Sequence, residues 1–347
     1  MASSYTINLV NGIAGDPSVC VNLPQLGESI LFDTGELNSL SNKDILKIQT
    51  VCISHTHVDH FIGFDRIIRV HIPHFRKITV IGPSGIAAQV RSKILAYTWN
   101  LLEPGQINYR IFEVHDDLHV SEYELSNDLG FCLSKVNDFA PPTGASGVKI
   151  PLNHLRFEIF ATILDHGTSV CGFALKMPDS QTVSTLKLEE LGLIPGPWIG
   201  DLQKKFSNNE LIGPIKISDQ AVWNGDDLAK QILIPKIGKK IIYLTDIAFS
   251  KANLEKISRS FQSCDVLICE TNYRHEHEDR ALQKKHLTTR HAAIIATLLK
   301  AKKLQIFHVS NIYGNEPELS EIETKNHLDE LNLLEPEAFQ VLYRGID

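Results

Sequence analysis

The chain has 347 residues, 43 % of them apolar and 22 % charged, a balance that excludes a disordered, collagen-like or coiled-coil protein. The length admits two domains or one large α/β unit. With 34 basic and 41 acidic residues the net charge is −7, so a polyanion would be held by a local patch rather than by the whole surface.

In chain order, strands are expected over 28–33, 49–54, 77–82 and 109–114, then over 155–164 and 170–175, and last over 240–245, 265–270 and 303–309. These are short apolar runs rich in β-branched and aromatic residues. Amphipathic helices are expected over 84–98 and 289–302, the second with Thr288 or Thr289 as N-cap and lysines in its last turn. The stretch 176–236 is punctuated by Gly192, Pro195-Gly196-Pro197, Gly200 and Gly213-Pro214, and reads as an extended insertion rather than core. No apolar run approaches the ~20 residues that cross a bilayer, so no membrane association is expected, and the N-terminal residues do not read as a secretion signal. The six cysteines form no CxxC pair, which fits reduced thiols in a cytoplasmic protein.

The 15 histidines are the unusual component. Ser54-His55-Thr56-His57-Val58-Asp59-His60 follows directly on the strand ending at Ile53. Residues two apart in extended chain point the same way, so His55 and His57 can grip one metal ion. The chain then turns into a helix, which aims Asp59 and His60 toward a second ion. Three more ligand-type residues stand at strand ends: His166, Asp246 and His308. His71, His74, His115, His119, His154, His275 and His277 lie away from these ends and are read as structural or solvated.

The HxHxDH pattern of 55–60 is the signature of the metallo-β-lactamase superfamily, and the downstream residues resemble that family in order. Within it, the chain resembles ribonuclease Z, the endonuclease that matures the 3′ end of tRNA. Ile268-Cys269-Glu270-Thr271 resembles the family's His-Glu-Ala-Thr loop, with cysteine in place of histidine. His286-Leu287-Thr288 resembles its His-Ser-Thr motif, and 192–200 resembles the Gly-Pro stretch of a protruding arm that grips tRNA. The resemblance implies an α/β fold: an αββα sandwich of two mixed β-sheets flanked by helices, a single domain over 1–347 with an arm-like insertion over 176–208.

It also implies a division of labour. His55, His57 and His166 would hold one metal, Asp59, His60 and His308 the other, with Asp246 as bridge. The donors suit zinc, with manganese or iron(II) admitted. Two such ions ~3.5–4 Å apart can hold a hydroxide between them and neutralise charge on attacking and leaving oxygens. Asp59 is then expected to orient the nucleophile, and His286, polarised by Glu270, to protonate the departing ribose oxygen. The expected protein is a homodimeric endoribonuclease cutting pre-tRNA 3′ trailers. The alternative is a small-molecule phosphodiesterase or a thioester or lactone hydrolase on the same scaffold; a non-catalytic binding module is disfavoured by the complete ligand set. Lys187, Lys204 and Lys205 flank the arm-like segment, and Lys236, Lys239 and Lys240 precede the Asp246 strand. These are the local cations available to phosphates.

Overall fold

The apolar runs pair into two large sheets in the computed structural model, which describes residues 5–152, 156–207, 210–218, 221–314, 316–335, 337–339, 343, 345 and 346. His154 and Leu155, both part of the expectations above, lie outside the described residues.

The first sheet takes its strands in chain order: β1 (Thr6–Leu9), β2 (Val19–Leu23), β3 (Glu28–Phe32), β4 (Ile48–Cys52), β5 (Lys77–Pro83), β6 (Asn108–Val114), β7 (Val120–Ser126) and β8 (Ser134–Phe139). Strands β3 to β6 run parallel, and the outer pairs are antiparallel. The second sheet contains β9 (Val148–Lys149), β10 (Glu158–Asp165), β11 (Ser169–Lys176), β16 (Lys240–Leu244), β17 (Val266–Glu270) and β18 (Lys303–Phe307), in the order β18-β17-β16-β11-β10-β9. Its last three strands in chain order are parallel.

Parallel neighbours need crossover connections, and helices supply them. Helix α1 (Asn42–Ile45) lies between β3 and β4, α2 (Val58–Phe61) and α3 (Phe64–His71) between β4 and β5, and α4 (Ile86–Leu95) between β5 and β6. Phe64, Ile67, Ile86, Val90 and Ile94 bury one face of these helices in the same core as Ile48, Val51, Ile78 and Val80. On the second sheet, α8 (Lys251–Phe261) joins β16 to β17, while α9 (Glu278–Lys284) and α10 (Thr289–Leu298) join β17 to β18. Leu254, Ile257, Ala292 and Ile295 seal that side against Ile242, Leu244 and Leu267. Aromatic rings pack between the sheets: Phe32 lies 5.2 Å from Tyr243 and 6.0 Å from Phe173, and Tyr243 lies 5.2 Å from Phe307, centroid to centroid. The layering is therefore helix, sheet, sheet, helix.

Local chemistry sets the helix ends. Helix α10 starts where Thr288 accepts from the His291 amide while the His291 ring accepts from the Thr288 amide, a reciprocal cap. Helix α4 is shorter than the expected 84–98 because Gly85 adopts φ +95° at its N-cap, and the Glu113 carboxylate accepts from the Gly85 and Ala87 amides. Past β18, α11 (Glu318–Asn332) packs on α10.

The chain divides into two compact units, and the smaller one is built on Lys176–Lys239. That segment is not irregular, as its Gly and Pro content suggested. It pairs β12 (Ser180–Val183) with β15 (Leu233–Lys236) and β13 (Pro214–Ser218) with β14 (Ala221–Asn224), and adds α5 (Thr185–Glu190), α6 (Trp198–Ser207) and α7 (Gly225–Ile232). Leu188, Trp198, Leu202, Ile212, Leu228, Ala229 and Ile232 form its own core. The insertion expected over 176–208 thus continues to Lys239, because α5 and α6 bury their apolar faces against α7, which lies beyond 208.

Candidate metal centre

Parallel sheets present their loops at the carboxyl ends of the strands, and there the ligand-type residues stand. His55 follows β4, Asp246 follows β16, Glu270 is the last residue of β17, and His308 follows β18. His166 begins the turn that joins β10 to β11. His57 caps α2, whose single turn carries Asp59 and His60. That turn packs closely on the loop after β3: a Cβ on Gly63 would meet the Gly35 carbonyl oxygen at 2.1 Å. Thr34 donates its amide to the His60 carbonyl, and Gly63 donates to that of Thr34. Asp33, Asp246 and His308 all adopt left-handed backbone, with φ of 54°, 48° and 56°, uncommon for residues other than glycine and characteristic of chain held in place at a site.

The side chains converge in three adjoining groups, each with donor atoms within 4.8 Å of one another: His55, His57, His166 and Asp246; Asp59, His60 and His308; and Asp246, Glu270, His286 and His308. Asp246 Oδ2 lies 3.8 Å from His55 Nε2, 3.6 Å from His166 Nε2 and 3.4 Å from His60 Nε2. Asp59 Oδ2 lies 3.5 Å from His60 Nε2 and 3.4 Å from His308 Nε2. All seven side chains named as ligands in the sequence analysis are brought together, with Asp246 between the two histidine sets.

Burial and charge favour metal donation. His55 Nε2 and His60 Nε2 are buried without a hydrogen-bond partner, so a cation would satisfy atoms that otherwise cost free energy. Burial, with His60 beside it, pushes His55 down to about 2, leaving a neutral ring with a free lone pair. Burial would raise the two aspartates, but neighbouring imidazoles prevail. His308 and His60 hold Asp246 well below the usual carboxylate range, and the same residues bring Asp59 to about 2. Burial would lower His60, but Asp246 and Asp33 carry it up to about 10. A field that favours a proton on His60 also favours a metal ion in that place.

Buried supports fix the rings. His166 Nδ1 donates to the Lys285 carbonyl at 2.7 Å, which leaves Nε2 to face Asp246. Asp33, fully buried, lies 2.8 Å from His60 Nδ1 and accepts from Ser54 Oγ, the Ser54 amide and Tyr243 Oη at 2.7, 2.6 and 2.7 Å. Such partners set the tautomer and aim of a ligating histidine. Asp33 escapes the sequence reading although it obeys the same strand-end rule, as the residue that follows β3.

Glu270 and His286 form a coupled pair on one side of the centre. Glu270 Oε2 accepts from His286 Nδ1 at 3.0 Å, and Oε1 accepts from the Leu287 amide at 3.0 Å. Burial would lower His286, but the Glu270 carboxylate holds its pKa above the ordinary value.

No protein-family model matches the chain. Among curated proteins, ribonuclease Z of Deinococcus radiodurans is 28 % identical over 288 residues, covering 82 % of this chain and 83 % of that protein. Ribonuclease Z of Thermococcus sibiricus is 26 % identical over 326 residues, covering 92 % and 88 %. Among solved structures, the metallo-β-lactamase fold protein YhfI from Bacillus subtilis matches with a TM-score of 0.51 at 13 % identity, covering 92 % of each chain. The chain has the metallo-β-lactamase fold and is similar in sequence to ribonucleases Z.

The histidines set apart in the sequence analysis stand elsewhere. His71 Nδ1 donates to the Ile67 carbonyl within α3. His115 and His119 flank the β6–β7 turn, where Ser121 Oγ lies 2.9 Å from His115 Nε2. His277 Nδ1 lies 2.9 Å from Tyr313 Oη. Among the described residues, none of His71, His74, His115, His119, His275 and His277 joins the three donor groups.

Proposed function

We propose that the protein is a metal-dependent endoribonuclease that removes the 3′ trailer of pre-tRNA, with His55, His57 and His166 holding one divalent ion, Asp59, His60 and His308 a second, and Asp246 both. The convergence of these seven side chains from four separate segments of the chain, beside the Glu270–His286 pair, carries the reading. It is supported by the similarity to ribonucleases Z across more than four-fifths of the chain. Nitrogen and carboxylate donors suit Zn2+, with Mn2+ or Fe2+ as substitutes. When bound, the two ions supply Lewis acidity at the scissile phosphate and a nucleophile at neutral pH.

The chain's own residues do the rest. Asp59, with its carboxylate ionised and half-exposed, orients the attacking oxygen. Glu270 holds a proton on His286 Nδ1 and fixes the ring, so that Nε2–H can donate to the departing ribose oxygen. Asp33 and Ser54 hold His60 in line, and the Lys285 carbonyl does the same for His166. We assign the Lys176–Lys239 unit, with Lys187, Lys204 and Lys205, to gripping the tRNA body through phosphates. We assign a homodimer to the working state, testable by sedimentation, and the cytoplasm as its compartment. All six cysteines are free, and no described helix is long and apolar enough to cross a membrane.

Incubation of the metal-loaded protein with a 3′-extended pre-tRNA and with bis(p-nitrophenyl) phosphate tests this reading. Cleavage of both is expected. Cleavage of the small ester alone would replace it with a small-molecule hydrolase.

A further inference from the structure

A second cluster of metal-type side chains lies apart from the main centre. Helix α11 carries Glu323 and His327, four residues apart and therefore on one face, with Glu323 Oε1 3.7 Å from His327 Nε2. This face meets the short turn His275–His277. The His275 and His327 rings stand edge to face with centroids 5.5 Å apart, and the His275 amide donates to Glu323 Oε1 at 3.3 Å. On the far side of the turn Glu278 Oε1 lies 3.9 Å from His275 Nδ1 but is engaged by His291 Nε2 at 2.8 Å. Four donor atoms here are buried with no hydrogen-bond partner: His275 Nδ1, Glu323 Oε2 and both ring nitrogens of His327. Buried polar atoms in folded proteins are paired as a rule, so unpartnered donors on three adjoining residues mark a place for an ion; His327 Nε2 is turned to Glu323, while its Nδ1 lies 3.6 Å from Glu330 Oε2.

We propose that His275, Glu323 and His327 form a further divalent cation site that clamps α11 to the turn. Two imidazoles and a carboxylate are donor chemistry of zinc and its first-row neighbours. His277 is excluded because its Nδ1 is engaged by Tyr313 Oη. The donors are more open than those around Asp246, whose members lie within 4.8 Å of one another, so seating the ion draws α11 toward the turn. The turn is tied to the loop that bears His286: Tyr273 donates its amide to the Leu287 carbonyl, and Thr289 donates to that of Tyr273. The clamp therefore steadies the segment between Glu270 and α10 from outside the main centre.

The test compares zinc content. Chelator-stripped full-length protein is reloaded with excess Zn2+, desalted and measured by elemental analysis, alongside a Glu323→Gln/His327→Gln variant that keeps both side chains near their size. The wild type is expected to retain one equivalent more than the variant. Zinc is expected to slow amide exchange in α11 at least tenfold in the wild type only. A His55→Ala/His57→Ala/Asp246→Asn variant is expected to retain the outer equivalent, which keeps this result separate from the fate of the main centre. Equal zinc content in wild type and the double glutamine variant, with the variant's circular dichroism unchanged, would overturn the proposal. A misfolded glutamine variant leaves the decision to the main-centre variant: no retained equivalent there overturns it equally.

Discussion

Replacing Asp33 with asparagine is expected to loosen the metal centre without touching a proposed ligand. The substitution is nearly isosteric, and asparagine tolerates the left-handed backbone of this position, so backbone strain does not enter. What changes is hydrogen-bond polarity. The carboxylate accepts from Ser54 Oγ, the Ser54 amide and Tyr243 Oη and pairs with His60 Nδ1, all within 2.8 Å. An amide offers one oxygen and two donors in the same space, so the Nδ2 end meets groups that need an acceptor. Leaving a buried donor unpaired costs about 1–3 kcal/mol, and here at least one is stranded. Part of that cost falls on the aim of His60, since support residues of this kind are worth about 10–100-fold in metal affinity. Zinc affinity measured by competition with a chromophoric chelator should therefore fall by roughly that factor, while Ser54→Ala, which removes one donor and leaves the carboxylate, should lose less. Unchanged zinc affinity in Asp33→Asn would refute the reasoning that this carboxylate sets the His60 ring.

Other expectations follow from the same geometry. His286→Ala should slow pre-tRNA cleavage by about 10²–10⁴-fold but spare bis(p-nitrophenyl) phosphate, whose leaving group needs no proton; equal losses on both substrates would show that the pair only orients its neighbours. Replacing Lys176–Lys239 by a short linker should preserve hydrolysis of the small ester and weaken tRNA binding, read by filter binding at two salt concentrations; loss of both would make the unit structural. Burial lowers His291 from about 6.5 to about 4, against the opposing pull of Glu278, so it is neutral when folded while the unfolded chain protonates below about 6.5. Its stability contribution is thus complete above pH 6.5 and lost as pH falls toward 4, about 2 kcal/mol by pH 5 at ~1.4 kcal/mol per unit. His291→Gln, which suits the same helix cap, should flatten that slope in urea titrations, and an unaltered slope would exclude His291 as its source.

Legibility in the sequence followed physical range. The ligand-type residues could be found because each closes or follows an apolar run, and the strand-end rule needs only local information. Asp33 obeys the same rule yet was invisible as a functional residue. A single aspartate after a strand is usually a cap, and its decisive partners lie 27 and 210 residues away at His60 and Tyr243. Strand β8 was missed because most of its residues are exposed at a sheet edge, which leaves no apolar run to read. The Lys176–Lys239 unit was misread for a different reason. Gly and Pro at its turns masked a core whose members, Leu188, Trp198, Leu202, Leu228 and Ile232, are spread over 45 positions and form a buried face only once α5, α6 and α7 meet.

The most direct test of the central claim is anomalous diffraction from crystals of the zinc-loaded protein, collected on both sides of the zinc edge. Two peaks are expected on either side of the Asp246 carboxylate, one within bonding distance of His55, His57 and His166 and the other of Asp59, His60 and His308. A zinc-replete crystal with no anomalous density at Asp246, or with a single peak that leaves either histidine set unengaged, would contradict the account.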